Sequence, residues 1–254
     1  MSRTSRSLTF QALESRLPFA ADVAVTFSSN NLTITGDGDA ENVTLREFEL
    51  AGIEFLEISG VNGTTVNGKP SVTFRSTNLN DIQANLGGGD DRLTIFDLDS
   101  TVADTIYDIR LGAGNDRMDF VSSDTAGDVS IFGEAGDDVV NVRFSDIGEK
   151  LRVDLGFGDD SSQIRSVKAE DITLTGGNDE DQVLLLSVDV IDQLLMNLGD
   201  GDDTLDFVDV DAGRYTLNGG IGDDDEFTIL QTGDQDDSFA FVAADDFESV
   251  QFRS

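Results

Sequence analysis

Seven aspartates recur at a nearly constant interval in the chain, each at the end of a Gly-Asp turn. They lie about 22 residues apart, at Asp91, Asp116, Asp138, Asp160, Asp181, Asp203 and Asp225. Carboxylates supply hard oxygen ligands, and Ca²⁺ accepts about six to eight oxygens from carboxylates and carbonyls. Glycine adopts turn conformations that other residues avoid and lets carbonyl groups approach an ion. The pattern therefore predicts a column of calcium-binding turns.

The segments between these turns read as short strands. Apolar residues alternate with polar ones on both sides of a turn, as in Leu151, Val153 and Leu155 before one turn and Val183 and Leu185 after the next. Alternation with a period of two indicates a strand with one buried face. A short unit repeated at a fixed period cannot bury that face alone and must stack on its neighbours. We therefore predict an all-β fold, a right-handed single-stranded parallel β-helix of about nine coils of about 22 residues.

The repeat is regular only in part of the chain. We divide the sequence into a leader at 1–21, degenerate coils at 22–80, regular Gly-Asp coils at 81–230 and a C-terminal cap at 231–254. Residues 22–80 are assigned to the parallel β-helix because Asn42 and Thr64 follow weaker Gly-containing turns and lie 22 residues apart. Solenoid ends need caps, because an open end exposes unpaired strand edges.

Composition removes several classes of function. Of 254 residues, 51 are acidic and 16 are basic, which gives a formal net charge of −35, so nucleic acid and anionic membranes are poor partners and small cations are good ones. The chain has no Cys and no His, which excludes thiol chemistry, thiolate zinc sites and the commonest general base. No apolar run is long enough to predict a membrane span.

The best copies of the turn resemble a known calcium-binding repeat. Gly87 to Leu93, Gly112 to Met118 and Gly199 to Leu205 are similar to the glycine-rich nonapeptide of RTX proteins, whose family fold is a calcium-binding parallel β-roll. This resemblance implies that the ligand carboxylates are Asp91, Asp116 and Asp203, and that carbonyl ligands lie near Gly89, Gly114 and Gly201. The remaining candidate metal ligands, by position in the repeat, are Asp138, Asp160, Asp181, Asp224 and Asp225.

This chain departs from the RTX pattern in its period. RTX arrays repeat every nine residues, whereas one turn occurs here in about 22 residues. A single column of ions along one edge is therefore expected in place of a two-sided roll. The turn of the last copy holds one extra residue, so that both Asp224 and Asp225 are candidates there.

The N-terminal segment resembles a targeting motif. Residues 10–21, FQALESRLPFAA, are similar to the LEPR motif at the N-termini of predicted surface and secreted proteins of planctomycete bacteria, with Ser15 where the motif usually has Pro. The resemblance implies export or surface display. The alternatives for this segment are a disordered leader and a short capping helix.

Two alternatives to the calcium column follow from the same residues. Carboxylates stacked about 4.8 Å apart repel by about 1 kcal/mol in water and about 3.5 kcal/mol at an effective dielectric constant near 20. In one alternative the aspartates bond to turn amides and point into water, where this repulsion is small. The other is a polysaccharide lyase or hydrolase of the parallel β-helix type.

The sequence thus predicts an exported or cell-surface bacterial protein with a structural or adhesive role. Its predicted ligand is Ca²⁺, and its predicted partners are surface polysaccharide or other surface proteins. We expect no catalytic residues, because carboxylate pairs occur throughout the chain and basic residues are sparse.

Overall fold

All the regular secondary structure in the described part of the chain is β-strand. The structure, a computed structural model, describes residues 21–76, 79–100, 102, 104–222, 225–230, 241–245 and 249–253. No helix occurs within those ranges. The leader predicted at 1–21 falls outside them except for Ala21, which is buried.

The described ranges contain twenty strands. Six precede the regular repeat: β1 (Asp22–Ser28), β2 (Asn31–Thr35), β3 (Asn42–Leu50), β4 (Ile53–Gly60), β5 (Thr65–Val66) and β6 (Ser71–Arg75). The next seven are β7 (Ile82–Gly88), β8 (Arg92–Phe96), β9 (Asp99–Ser100), β10 (Ile106–Ala113), β11 (Arg117–Val121), β12 (Asp124–Thr125) and β13 (Asp128–Ala135). The last seven are β14 (Val139–Phe157), β15 (Ser161–Asn178), β16 (Gln182–Asp200), β17 (Thr204–Ile221), β18 (Glu226–Leu230), β19 (Phe241–Asp245) and β20 (Ser249–Arg253).

The regular repeat stacks in parallel, one coil on the next. From β7 to β18 each strand pairs in parallel with its equivalent in a neighbouring coil, and most pair with equivalents in the coils both before and after, as β13 does with β10 and β14. The four long strands β14 to β17 pair along nearly their whole length, with irregularities at the coil corners. The prediction of an all-β parallel solenoid is therefore confirmed.

The interior of the solenoid is a continuous apolar core built from columns of equivalent residues. One column stacks Val129, Leu151, Ile172 and Leu194 in register, and each of these side chains is fully buried. Because side chains of a strand alternate between its faces, the period-two pattern of the sequence places one set of residues inside every coil. The core is extended near the C-terminal end by Phe227, whose ring meets that of Phe207 edge-on at 5.0 Å.

The number of coils is about seven and not about nine. The difference arises in the region predicted as degenerate coils, where the chain folds back on itself. Strands β3, β4 and β6 pair antiparallel, as do β1 and β2, and only β2 and β3 continue the parallel stack, onto β7 and β8. Asn42 and Thr64 therefore do not occupy equivalent positions, and instead the Asn42 N–H donates to Thr64 Oγ1 at 2.9 Å.

A two-residue turn causes this reversal. Leu50 pairs with Ile53, so that Ala51 and Gly52 alone connect β3 to β4, both with positive φ (55° and 76°). Two central residues with positive φ match the right-handed twist of antiparallel strands and close a hairpin. Ala-Gly is a weaker signal for such a turn than Asn-Gly or Asp-Gly, and the sequence pattern alone therefore suggested a coil.

At the C-terminal end the parallel stack continues into the region assigned as a cap. Strand β19 pairs with β17 and β20 pairs with β18, both in parallel. Residues 231–240 of the predicted cap lie outside the described ranges.

One core position carries a polar residue where the repeat calls for an apolar one. Ser162 lies in register between Val140 and Val183, is 1% exposed, and its hydroxyl has no hydrogen-bond partner among the described residues. A buried hydroxyl without a partner costs about 1–3 kcal/mol.

We expect Ser162→Val to raise the free energy of unfolding by about 1–2 kcal/mol in urea denaturation. A decrease would show that the site lacks room for the second methyl group; Ser161→Val, at the exposed neighbour, is the control.

Candidate functional site

The seven repeat aspartates form a single column, and the column lies inside the solenoid wall. Each is only 1–2% exposed to solvent, at Asp91, Asp116, Asp138, Asp160, Asp181, Asp203 and Asp225. Each aspartate occurs two residues before a core residue of the following strand, such as Leu93 after Asp91, and so shares its inward direction. The structure thus brings the predicted residues together, but as buried groups and not as an exposed edge.

Hydrogen bonds link this column from coil to coil in one direction. The backbone N–H of Asp91 donates to Oδ1 of Asp116 at 2.7 Å, and the N–H of Asp116 donates to Oδ1 of Asp138 at the same distance. The same bond recurs from Asp138 to Asp160, from Asp160 to Asp181, from Asp181 to Asp203 and from Asp203 to Asp225, at 2.7–3.0 Å. We call this arrangement the aspartate ladder.

The ladder resolves the choice between two residues of the last turn. Asp225 accepts the hydrogen bond from Asp203, and it therefore continues the column. Asp224, the other candidate, lies outside the described residues.

In five of the ladder residues the second carboxylate oxygen is buried without a hydrogen-bond donor. Within the described ranges this holds for Oδ2 of Asp116, Asp138, Asp160, Asp181 and Asp203. A buried charged oxygen without a partner is costly, so such a group neutralises itself by binding a proton or lies against a cation. The ladder therefore presents a file of oxygens that require positive charge.

Burial raises the pKa of the ladder carboxyls. For Asp138 and Asp181, loss of hydration and then the charges of the neighbouring ladder carboxyls raise the pKa to about 8, although a backbone hydrogen bond opposes the shift. For Asp116, Asp160 and Asp203 burial is again the main cause and raises the pKa to about 6, and nearby carboxylates add to the shift; for Asp160 these are the exposed Asp137, Asp159 and Asp179. The higher values alternate with the lower ones along the column, as expected when a charged carboxyl disfavours ionisation of its immediate neighbours.

The ladder begins at a residue that the sequence analysis did not identify. Glu41 occupies the ladder position in the coil of β3, where its backbone N–H donates to Oδ1 of Asp91 at 2.6 Å. Burial, followed by its side-chain hydrogen bond with Asp91, raises the pKa of Glu41 to about 9, so the two carboxyls share a proton. The signal was present, because Val43 follows Glu41 by two residues as Leu93 follows Asp91, whereas alignment on Asn42 placed the repeat one residue late.

The carbonyls predicted as ligands face the next coil. An ideal Cβ on Gly114 would lie 1.8 Å from the Gly89 carbonyl oxygen, and one on Gly136 would lie 2.0 Å from that of Gly114. The Gly201 carbonyl oxygen lies in the same way against Gly222. These glycines are needed because the coils stack carbonyl against Cα at this corner.

A second, exposed column runs beside the ladder with its hydrogen bonds in the opposite direction. The Asn115 N–H donates back to Asp90 Oδ1 at 3.0 Å, and Asp137 donates in turn to Asn115 at 3.1 Å. Asp159 and Glu180 continue the series at 3.1 and 3.2 Å. These side chains are exposed to solvent, so their charges are hydrated.

Arg92 and Arg117, which directly follow the ladder residues Asp91 and Asp116 in the sequence, bind Asp119. Arg117 Nε donates to Asp119 Oδ2 at 2.8 Å, and Arg92 and Arg143 each donate to the same carboxylate at 2.9 and 3.0 Å. Burial by itself raises the pKa of Asp119, but the hydrogen bond from Arg117 and the three guanidinium charges hold it below its ordinary value. Asp119 is therefore a structural anion at the centre of a cationic group.

Comparison with other proteins adds no assignment, because no family model, curated protein or solved structure matches the chain. Within the described residues, no three or more acidic side chains are grouped as a preformed metal site. Among the same residues no helix has the length and apolar character needed to cross a bilayer.

Proposed function

We propose that the protein is an exported or cell-surface structural β-solenoid of bacterial origin whose aspartate ladder binds Ca²⁺. In this role the rod would act as a spacer or adhesive element outside the cell, where calcium is abundant. The observation that supports the proposal is the file of buried Oδ2 atoms without a donor in successive coils.

The donor chemistry of the ladder suits a hard cation. The available oxygens are Oδ2 of Asp116, Asp138, Asp160, Asp181 and Asp203, and carboxylates are preferred ligands of Ca²⁺. Calcium usually takes several further oxygens, so binding would have to draw in water or turn carbonyls. A proton is the competing occupant, because carboxyls whose pKa is raised to about 8 hold protons at neutral pH. Calcium binding would therefore release protons.

The test measures the melting temperature of the wild-type protein and of two double variants, each in calcium and in chelator. In wild-type protein at about pH 8, we expect Ca²⁺ to raise the melting temperature by about 5 °C or more relative to chelator, since an ion that binds only the folded state stabilises it. Asp138→Asn with Asp181→Asn removes the two ladder aspartates whose pKa is raised to about 8, keeps an oxygen for the amide bond, and should abolish most of that gain.

The control makes the same change of charge on the exposed column. Asp137→Asn with Asp159→Asn should keep most of the calcium effect, because those side chains are hydrated and do not belong to the ladder. Calorimetric titration in buffers of different ionisation enthalpy would measure the released protons. Identical melting of wild-type protein in calcium and in chelator would overturn the calcium assignment and leave a solenoid whose ladder is protonated.

A further inference from the structure

Four arginines of the solenoid lie in two stacked pairs along the strands that follow the Gly-Asp turns. Arg92 and Arg117 are paired in register on β8 and β11, and Arg143 and Arg165 are paired in register on β14 and β15. We call these four residues the arginine face. Neighbours in register lie about 4.8 Å apart, and the two pairs are separated by four residues of strand, or about 13 Å.

This face carries an excess of positive charge in a strongly negative protein. Three of its guanidinium groups share the single carboxylate of Asp119, which is 4% exposed, while 48%, 38% and 32% of the Arg92, Arg117 and Arg143 side chains remain accessible. Arg165 is exposed, and its guanidinium carbon lies 5.9 Å from the centre of the Phe144 ring. The guanidinium groups are therefore held in place and still have N–H donors directed to solvent.

The fixed geometry of the arginines favours recognition of an anion. The Asn141 side-chain amide donates to Asp119 Oδ1 at 3.1 Å, and Asp119 in turn holds the guanidinium groups of Arg92, Arg117 and Arg143. A planar guanidinium binds carboxylate or sulfate with two parallel hydrogen bonds and loses less freedom when it is already positioned. The carboxylates of the exposed column border the face, but screening at physiological salt limits their influence to about 8 Å.

We propose that the arginine face is a binding surface for an acidic polysaccharide bearing carboxylate or sulfate groups. A flexible polymer can place separate anionic groups on the two arginine pairs, whereas the net charge of −35 opposes a long, stiff and uniformly charged duplex. For its biological meaning the inference rests on the proposed adhesive role, but binding at this face does not involve the aspartate ladder.

The experiment uses the full-length protein and two immobilised polymers, dextran sulfate and unsulfated dextran, which share one backbone. We expect wild-type protein to bind dextran sulfate at least about tenfold more tightly than dextran, with an affinity that falls as salt is raised. Arg92→Gln with Arg165→Gln should weaken binding to dextran sulfate about tenfold or more, and it leaves Asp119 paired with Arg117 and Arg143.

The control pair is Arg152→Gln with Arg214→Gln, which removes the same charge from arginines exposed elsewhere on the solenoid. An equal loss in the control pair, or equal binding of the two polymers, would overturn the proposal. Sedimentation velocity of the free protein is the further measurement. If the free wild-type protein forms dimers and the Arg92→Gln, Arg165→Gln variant does not, the arginine face binds a second copy of this chain. That result would overturn the polysaccharide assignment. Because the binding measurement needs no calcium, its outcome is independent of the ladder test.

Discussion

In the presence of a chelator, the protein melts at a lower temperature at about pH 9 than at about pH 5.5, by about 5 °C or more. Folding raises the pKa of Asp138 and Asp181 to about 8, well above the ordinary aspartate value near 3.8. The folded state therefore binds more protons than the unfolded state across this range. The resulting stability is present in mild acid and is lost as the pH rises through about 6 and then about 8.

Scanning calorimetry at several pH values would measure this loss. Measurements should stay above about pH 5, because the sequence pI is about 4.1 and association is expected near it. The Asp138→Asn, Asp181→Asn variant should show a flatter profile between about pH 7 and about pH 9. The Asp137→Asn, Asp159→Asn variant should flatten the profile much less, because the charges of Asp137 and Asp159 contribute less to the raised pKa of Asp138 and Asp181 than burial does. Stability that rises with pH over this range would contradict a buried ladder that holds protons.

Gly114→Ala is expected to destabilise the solenoid by several kcal/mol. Gly114 has φ of 137°, and a Cβ there would lie 1.8 Å from the Gly89 carbonyl oxygen. The clash is with backbone on a neighbouring coil, so relief requires the coils to separate and lengthens the hydrogen bonds of the ladder beside it. Urea denaturation followed by circular dichroism would measure the change.

Gly38→Ala is the matched control for this substitution. Gly38 also lies in a Gly-Asp segment, but an added Cβ there meets no atom within 4 Å and its φ does not lie in the left-handed region. We expect a change within about 0.5 kcal/mol, the usual range for a surface substitution. Equal losses in the two variants would show that the coils do not stack through the glycine column.

The sequence was sufficient to predict the solenoid and the stacking of its aspartates. Two features of the sequence made this possible. The period-two alternation predicts which side chains of each strand face the core, and the 22-residue interval predicts which residues stack in successive coils. The count of coils failed because the hairpin at Ala51 and Gly52 depends on two positive φ angles, which Ala does not signal. That segment also lacks the Gly-Asp turn that marks the regular coils.

The burial of the aspartates was harder to predict, although the alternation contained it. Asp116 lies in phase with Met118 and Phe120, both fully buried, and by parity its side chain also points inward. Aspartate in a turn usually faces water, and for that reason we expected an exposed edge although the alternation places these side chains inside. The amide partners of the carboxylates and the arginine cluster around Asp119 depend on neighbours about 22 residues away, so no local pattern reports them.

The ladder also bears on how the length of this rod can change. Every link joins an amide of one coil to a carboxylate of the next, and the flanking sequence changes from link to link while the bond stays the same. Excision of residues 139–160 would leave Asp138 followed by Ser161, as Asp160 is now, with Asp181 positioned to accept its amide. Whole coils are thus interchangeable units, and duplication or loss of one alters the reach of the molecule without requiring a new kind of contact.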